Sequence, residues 1–73
     1  MQVSKLLRHV LLEQGLSARE LARRLNTSGP NIAQKLGRDN WSVSDLAAIA
    51  AALGCGFSVS FHLPDGTYIS AAS

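Results

Sequence analysis

Residues 16–36, LSARELARRLNTSGPNIAQKL, read as two short helices joined by a tight turn. Ser17 is a helix N-cap, and Glu20 three residues later completes a capping box that satisfies otherwise unbonded amide donors. Leu21, Ala22 and Leu25 then fall on one helical face. Asn26 stops that helix, because asparagine enters the left-handed conformation more readily than other non-glycine residues. Ser28 is a second N-cap, followed by Gly29 and Pro30 where proline's missing N–H costs little. Ile32 and Leu36 lie four apart and fold back onto Leu21 and Leu25. Ala22 supplies the small residue that two steeply crossing helices need at their contact.

Outward from this pair, the apolar spacing predicts a first helix over 3–14, with Val3, Leu6, Leu7, Val10 and Leu11 on its inner face. Gly15 is its C-terminal stop. The central helices span about 17–25 and 29–37. Gly37-Arg38-Asp39-Asn40 is a loop, and Trp41 is read as core between helices. Ser42, with Asp45 at the third position, caps a fourth helix over 43–53 that carries Val43, Leu46, Ile49, Ala50 and Leu53 and ends at Gly54. One core is expected from Leu21, Ala22, Leu25, Ile32, Leu36, Leu46, Ile49 and Leu53. After Gly56 the period becomes two: Phe57, Val59, Phe61 and Leu63 alternate with Ser58, Ser60 and His62, a half-buried strand. Pro64-Asp65-Gly66 is a three-residue turn with Gly66 at positive φ, and Thr67, Tyr68 and Ile69 return. The hairpin is expected over about 57–70, with Ala71 to Ser73 frayed.

The chain of 73 residues is read as one domain, 1–73, and its 47 % apolar composition suits a folded globule. One cysteine, Cys55, excludes an intramolecular disulfide, and no Cys/His cluster has zinc spacing. A cytoplasmic protein is expected. No apolar run approaches the roughly 18 residues of a membrane span. The leading MQVSKLLRHVLLEQG differs from a secretory signal because Arg8, His9 and Glu13 interrupt it at helical period. Net charge is only +2, yet Arg19, Arg23, Arg24, Lys35 and Arg38 cluster in and around the central pair, opposed locally by Glu20 and Asp39. A locally basic unit suits a polyanionic partner. Nothing in the chain supports an enzyme: His9 and His62 stand alone, Cys55 reads as a small core residue, and no nucleophile–base–acid set, phosphate loop or carboxylate pair is present. No cofactor, metal or small-molecule ligand is implied.

Gly15-Leu16-Ser17, Glu20-Leu21-Ala22, Leu25, Ser28, Pro30, Ile32 and Ala52-Leu53-Gly54 together resemble the Cro and lambda-repressor-like (Xre-type) helix-turn-helix family over about residues 3–56. The resemblance implies a mainly α fold: a four-helix lambda-repressor-like helix-turn-helix domain, here with a C-terminal β-hairpin. It also implies a DNA-binding transcriptional regulator, usually a dimeric repressor. The chain departs from the family where relatives often carry long base-reading side chains, since Gly29 and Pro30 stand there and readout must shift to other residues or be weaker.

In such a domain the third helix enters the major groove with its N-terminal half against base edges. Ser28, Asn31 and Gln34 project away from Ile32 and Leu36, and are the expected base contacts. Asn and Gln amides can pair with adenine N7 and N6 together, and Gln34 matches a family position used for base contact. Phosphate contacts are expected from the start of the second helix at Ser17 and Ala18, and from Arg19, Lys35, Arg38 and Asn40. Phe57, Val59, Phe61, Leu63 and Ile69 on the hairpin are the expected homodimer interface. The partners expected are therefore double-stranded DNA and a second copy, with a palindromic operator as target. The competing reading is a protein-interaction module of antitoxin or antiactivator type, with weak or lost DNA binding.

Overall fold

Ser17, Ser28 and Ser42 each stand in extended backbone and start a helix by the same bond. Each hydroxyl accepts the N–H three residues ahead, from Glu20 at 3.1 Å, Asn31 at 3.2 Å and Asp45 at 3.0 Å. The computed structural model describes residues 2–72. In it these caps open α2 (Ala18–Arg24), α3 (Gly29–Arg38) and α4 (Val43–Leu53), preceded by α1 (Val3–Glu13). The capping box is complete only at α4, where the Asp45 side chain reaches back to the Ser42 N–H at 3.0 Å. At α2 the expected box is half formed, because the Glu20 carboxylate pairs with Arg23 one turn on instead of returning to Ser17. No helix among the described residues is long and apolar enough to cross a membrane.

Helix ends are equally local. At the end of α2, Asn26 takes φ 55°. Its N–H reaches Arg23 O at 3.1 Å while the Thr27 N–H reaches back to Ala22 O at 2.9 Å, the paired bonds of a Schellman turn. Gly15 and Gly54 close α1 and α4 by the same pattern at φ 67° and 68°. At the end of α3, Asp39 is left-handed at φ 53° and its N–H bonds Lys35 O at 2.9 Å. α1 is the exception at its start: its N-cap, Gln2, makes no side-chain capping bond. That function falls to Asp39, whose Oδ1 accepts the Ser4 N–H at 2.7 Å from across the fold.

The four helices close on Leu7, Leu11, Leu21, Ala22, Ile32, Leu36, Ile49 and Leu53, with Leu25, Leu46, Trp41 and Cys55 packed half-buried at the margin. Leu21 is wholly enclosed, at 0 % exposure. Two residues assigned inward stand outside. Leu6 is 60 % exposed, because the α1 face toward the core is centred on Leu7 and Leu11 and flanked by Ser4, one helical position round in the other direction. Val43, in the first turn of α4, is also exposed. Ser4 follows the i, i+3, i+7 spacing of Leu7 and Leu11 and is 4 % exposed. Its side chain is tolerated there because its Oγ accepts the Trp41 indole N–H at 2.8 Å, while its backbone N–H is satisfied by Asp39.

Strands β1 (Ser58–His62) and β2 (Tyr68–Ala72) pair antiparallel, with Phe61 opposite Ile69, Val59 opposite Ala71 and His62 opposite Tyr68. Leu63 N–H to Thr67 O at 2.8 Å closes the three-residue turn, and Gly66 adopts the positive φ of 90° that the turn requires. Pairing continues through Ala72, so Ala71 is held in the ladder where fraying was expected; Ser73 lies outside the described residues. The larger correction concerns burial. Every residue of β1 is exposed, and the helices cover neither face of the hairpin, which helps to draw the molecule out to 43 × 24 × 21 Å. Period-two alternation specifies which side chains share a face, and here that apolar face is left open.

Candidate nucleic-acid interface

One side of α3 carries the polar and basic groups. Asn31, Gln34, Lys35 and Arg38 rise from the helix, Asn40 from the loop after it, and Ser42 and Asp45 from the start of α4. Together they line an open recess of about 340 Å³. Ile32 and Leu36 hold the opposite side of the helix in the core, so the helical period itself turns this polar face outward.

The residues of the recess differ in freedom. Gln34 and Arg38 are exposed, and among the described residues Arg38 belongs to no ion pair. Lys35 is held: its Nζ lies 3.0 Å from Asp45 Oδ2 and 5.8 Å from the centre of the Trp41 ring. Ser42's N–H and the Lys35 ammonium both favour the charged form of Asp45 and hold its carboxyl below the usual carboxylate range. Asn31 donates from Nδ2 to Thr27 Oγ1 at 2.8 Å, and among the described residues its side-chain oxygen accepts no hydrogen bond. The Ser28 hydroxyl accepts the Asn31 N–H and so caps the helix, and Ser28 is not among the residues that line the recess.

The remaining residues anticipated at phosphates lie elsewhere. Ser17, Ala18 and Arg19 form the start of α2, away from the recess, with Ala18 half-buried against the core and Arg19 exposed. Arg23 is paired with Glu20, and Arg24 points toward the end of α4, 3.4 Å from Ala52 O. The compositional cluster of five cations is thus divided by the fold between two helices with different outlooks. Asp45 was not anticipated in the recess. The capping box places Asp45 at the start of α4, but its position beside Lys35 follows only from how α4 packs against α3.

The model of the Cro/C1-type HTH DNA-binding domain matches residues 6–58. The chain belongs to this helix-turn-helix family. In this Cro/C1-type domain α2 and α3 are the motif's two helices. No curated protein and no solved structure matches the chain. The match ends at the first residue of β1, so the family covers the helices and leaves the hairpin to be interpreted on its own physics.

Proposed function

We propose that this Cro/C1-type domain is a sequence-specific transcriptional repressor that binds a palindromic operator as a homodimer. The observation carrying the proposal is the convergence of Asn31, Gln34, Lys35, Arg38 and Asn40 on one outward recess along α3. In this reading Gln34 and the free oxygen of Asn31 read base edges, while Ser28 contributes mainly by fixing the start of the helix. Arg38 and Asn40 meet the phosphates on one flank. Arg19 and the amides of Ser17 and Ala18 meet them on the other, and Lys35 adds to the field while tethered to Asp45. Phosphate contacts set the register, and amide contacts set the sequence.

Dimerisation is inferred from the hairpin. Val59, Phe61, Leu63 and Ile69 are all exposed, with Phe61 at 74 %, and a lone two-stranded sheet is marginal in water. Phe57 differs from them: it is half-buried and borders an apolar groove with Leu6, Val10 and Leu46. A second copy pairing along a free strand edge across a two-fold axis covers the apolar face and satisfies the edge in one isologous contact. It also brings two copies of α3 to successive major grooves, roughly 34 Å apart. The same open hairpin is what favours the second reading, an interaction module whose hairpin binds another protein. Titration of labelled duplex DNA at two salt concentrations separates the two. Steeply salt-dependent binding is expected for the repressor, and absence of binding at low salt would leave the interaction module.

A further inference from the structure

We propose that Asp39 is a positioning residue of the DNA interface, fastening the α3–α4 loop to the first turn of α1 so that Arg38 and Asn40 meet the backbone of the duplex in register. The inference rests on the reading that those two residues contact phosphate.

Two bonds converge on one buried serine. Asp39 Oδ1 accepts the Ser4 N–H at 2.7 Å, and Ser4 Oγ accepts the Trp41 Nε1–H at 2.8 Å. Asp39 and Trp41 flank Asn40 in sequence, so both sides of that residue are anchored to the same point of α1. Ser4 is itself fixed by burial beside Leu7 and Leu11. Farther along, Trp41 lies under the Lys35 ammonium, and Lys35 bonds Asp45 at the start of α4. The loop that follows Arg38 and carries Asn40 is therefore tied directly to α1, and through Trp41 and Lys35 it touches α3. Pre-set geometry of this kind spares the ordering of a loop on binding.

Charge makes the proposal testable by sign. Asp39 adjoins the face that meets a polyanion, so electrostatics alone says that removing its charge tightens DNA binding whatever replaces it. Positioning says that the outcome depends on the replacement. Asp39→Asn keeps an acceptor for the Ser4 N–H and tolerates the left-handed backbone at φ 53° while losing the charge. Asp39→Gly keeps the left-handed backbone and loses the acceptor.

Both variants, wild type and Arg38→Ala are titrated with one labelled duplex across a salt series. Trp41, the chain's one tryptophan, reports by its emission on the loop without DNA. The Asn variant is expected to bind at least as tightly as wild type with unchanged emission. The Gly variant is expected to bind roughly three- to tenfold more weakly, the equivalent of about one hydrogen bond, with red-shifted emission and retained helical circular dichroism. Gly binding as tightly as Asn, while Arg38→Ala flattens the salt dependence, would overturn the positioning role alone. An unchanged salt dependence in Arg38→Ala would remove the phosphate reading and the proposal with it. Should Asp39→Gly fail to fold, Trp41→Phe deletes the other bond to Ser4, and wild-type affinity in that variant would equally overturn the proposal.

Discussion

Replacing Arg38 with alanine is expected to weaken binding to every DNA sequence alike, whereas Gln34→Ala should act on one base pair. Arg38 ends α3, borders the recess beside Gln34 and Asn40, and belongs to no ion pair among the described residues. A cation on one phosphate contributes about 0.9 to the slope of log affinity against log salt. A homodimer presents Arg38 twice, so the slope should flatten by about 1.8. Between about 50 and 200 mM salt the logarithm changes by roughly 0.6, so wild type should lose about twelvefold more affinity than the variant, against about 3.5-fold if a single copy binds. Lys35→Ala should flatten the slope less, because Asp45 already holds that ammonium at 3.0 Å. Gln34→Ala should cost about 1–3 kcal/mol per half-site on the preferred sequence only and leave the slope unchanged. The assay is fluorescence anisotropy on a selected site and on scrambled duplex at several salt concentrations. A wild-type slope in Arg38→Ala, or uniform weakening of all sequences by Gln34→Ala, would refute the assignment of roles on α3.

Leu21→Ala should destabilise the fold by about 2–5 kcal/mol in urea unfolding, since Leu21 is wholly enclosed, and half-buried Leu25→Ala should cost less. Equal costs would show the inner face of α2 to be misassigned. Asp39 and Asp45 are held below the usual carboxylate range, chiefly by the Ser4 and Ser42 backbone N–H groups respectively. A depressed folded-state pKa contributes stability that is complete above the ordinary value of about 3.9 and lost as pH falls through the lowered ones. The urea midpoint should therefore be level from neutral pH toward that value and then fall, and Asp45→Asn should reduce the acid loss; superimposable curves would contradict this. Phe61→Asp places a charge on the open hairpin face opposite Ile69 and should leave the helices intact. Light scattering at tens of micromolar should then show a dimer for wild type and a monomer for the variant and for a chain ending at Gly56, and a monomeric wild type would refute the interface.

Most of the helical framework was legible in the chain because its signals are short-range. A serine cap bonds the residue three ahead, and a left-handed Asn26 closes a turn six residues long. Neither depends on what lies across the molecule. The face of α3 followed equally from Ile32 and Leu36, and with it the exposure of Asn31 and Gln34, whereas Gly37 and Arg38, read as loop, form the last turn of the helix. Glu20 shows the limit of such reading: two short-range partners were available, Ser17 and Arg23, and the pattern alone did not say which would win.

What the tertiary structure decided is pairing across distance. Asp39 meets Ser4 at a separation of 35 residues and Trp41 meets Ser4 at 37, and no periodicity records either. A serine on an apolar face looks like an interruption until two partners arrive to satisfy it. The recess likewise exists only because α4 begins beside α3 and brings Asp45 to Lys35. The hairpin marks the same division. Alternation in the sequence determined which side chains share its apolar face, but whether that face is covered depends on where the strands leave the helical body. They leave it pointing away, so Phe61 and Ile69 stay in solvent, because a two-residue period describes a strand's sides and carries no information about its neighbours.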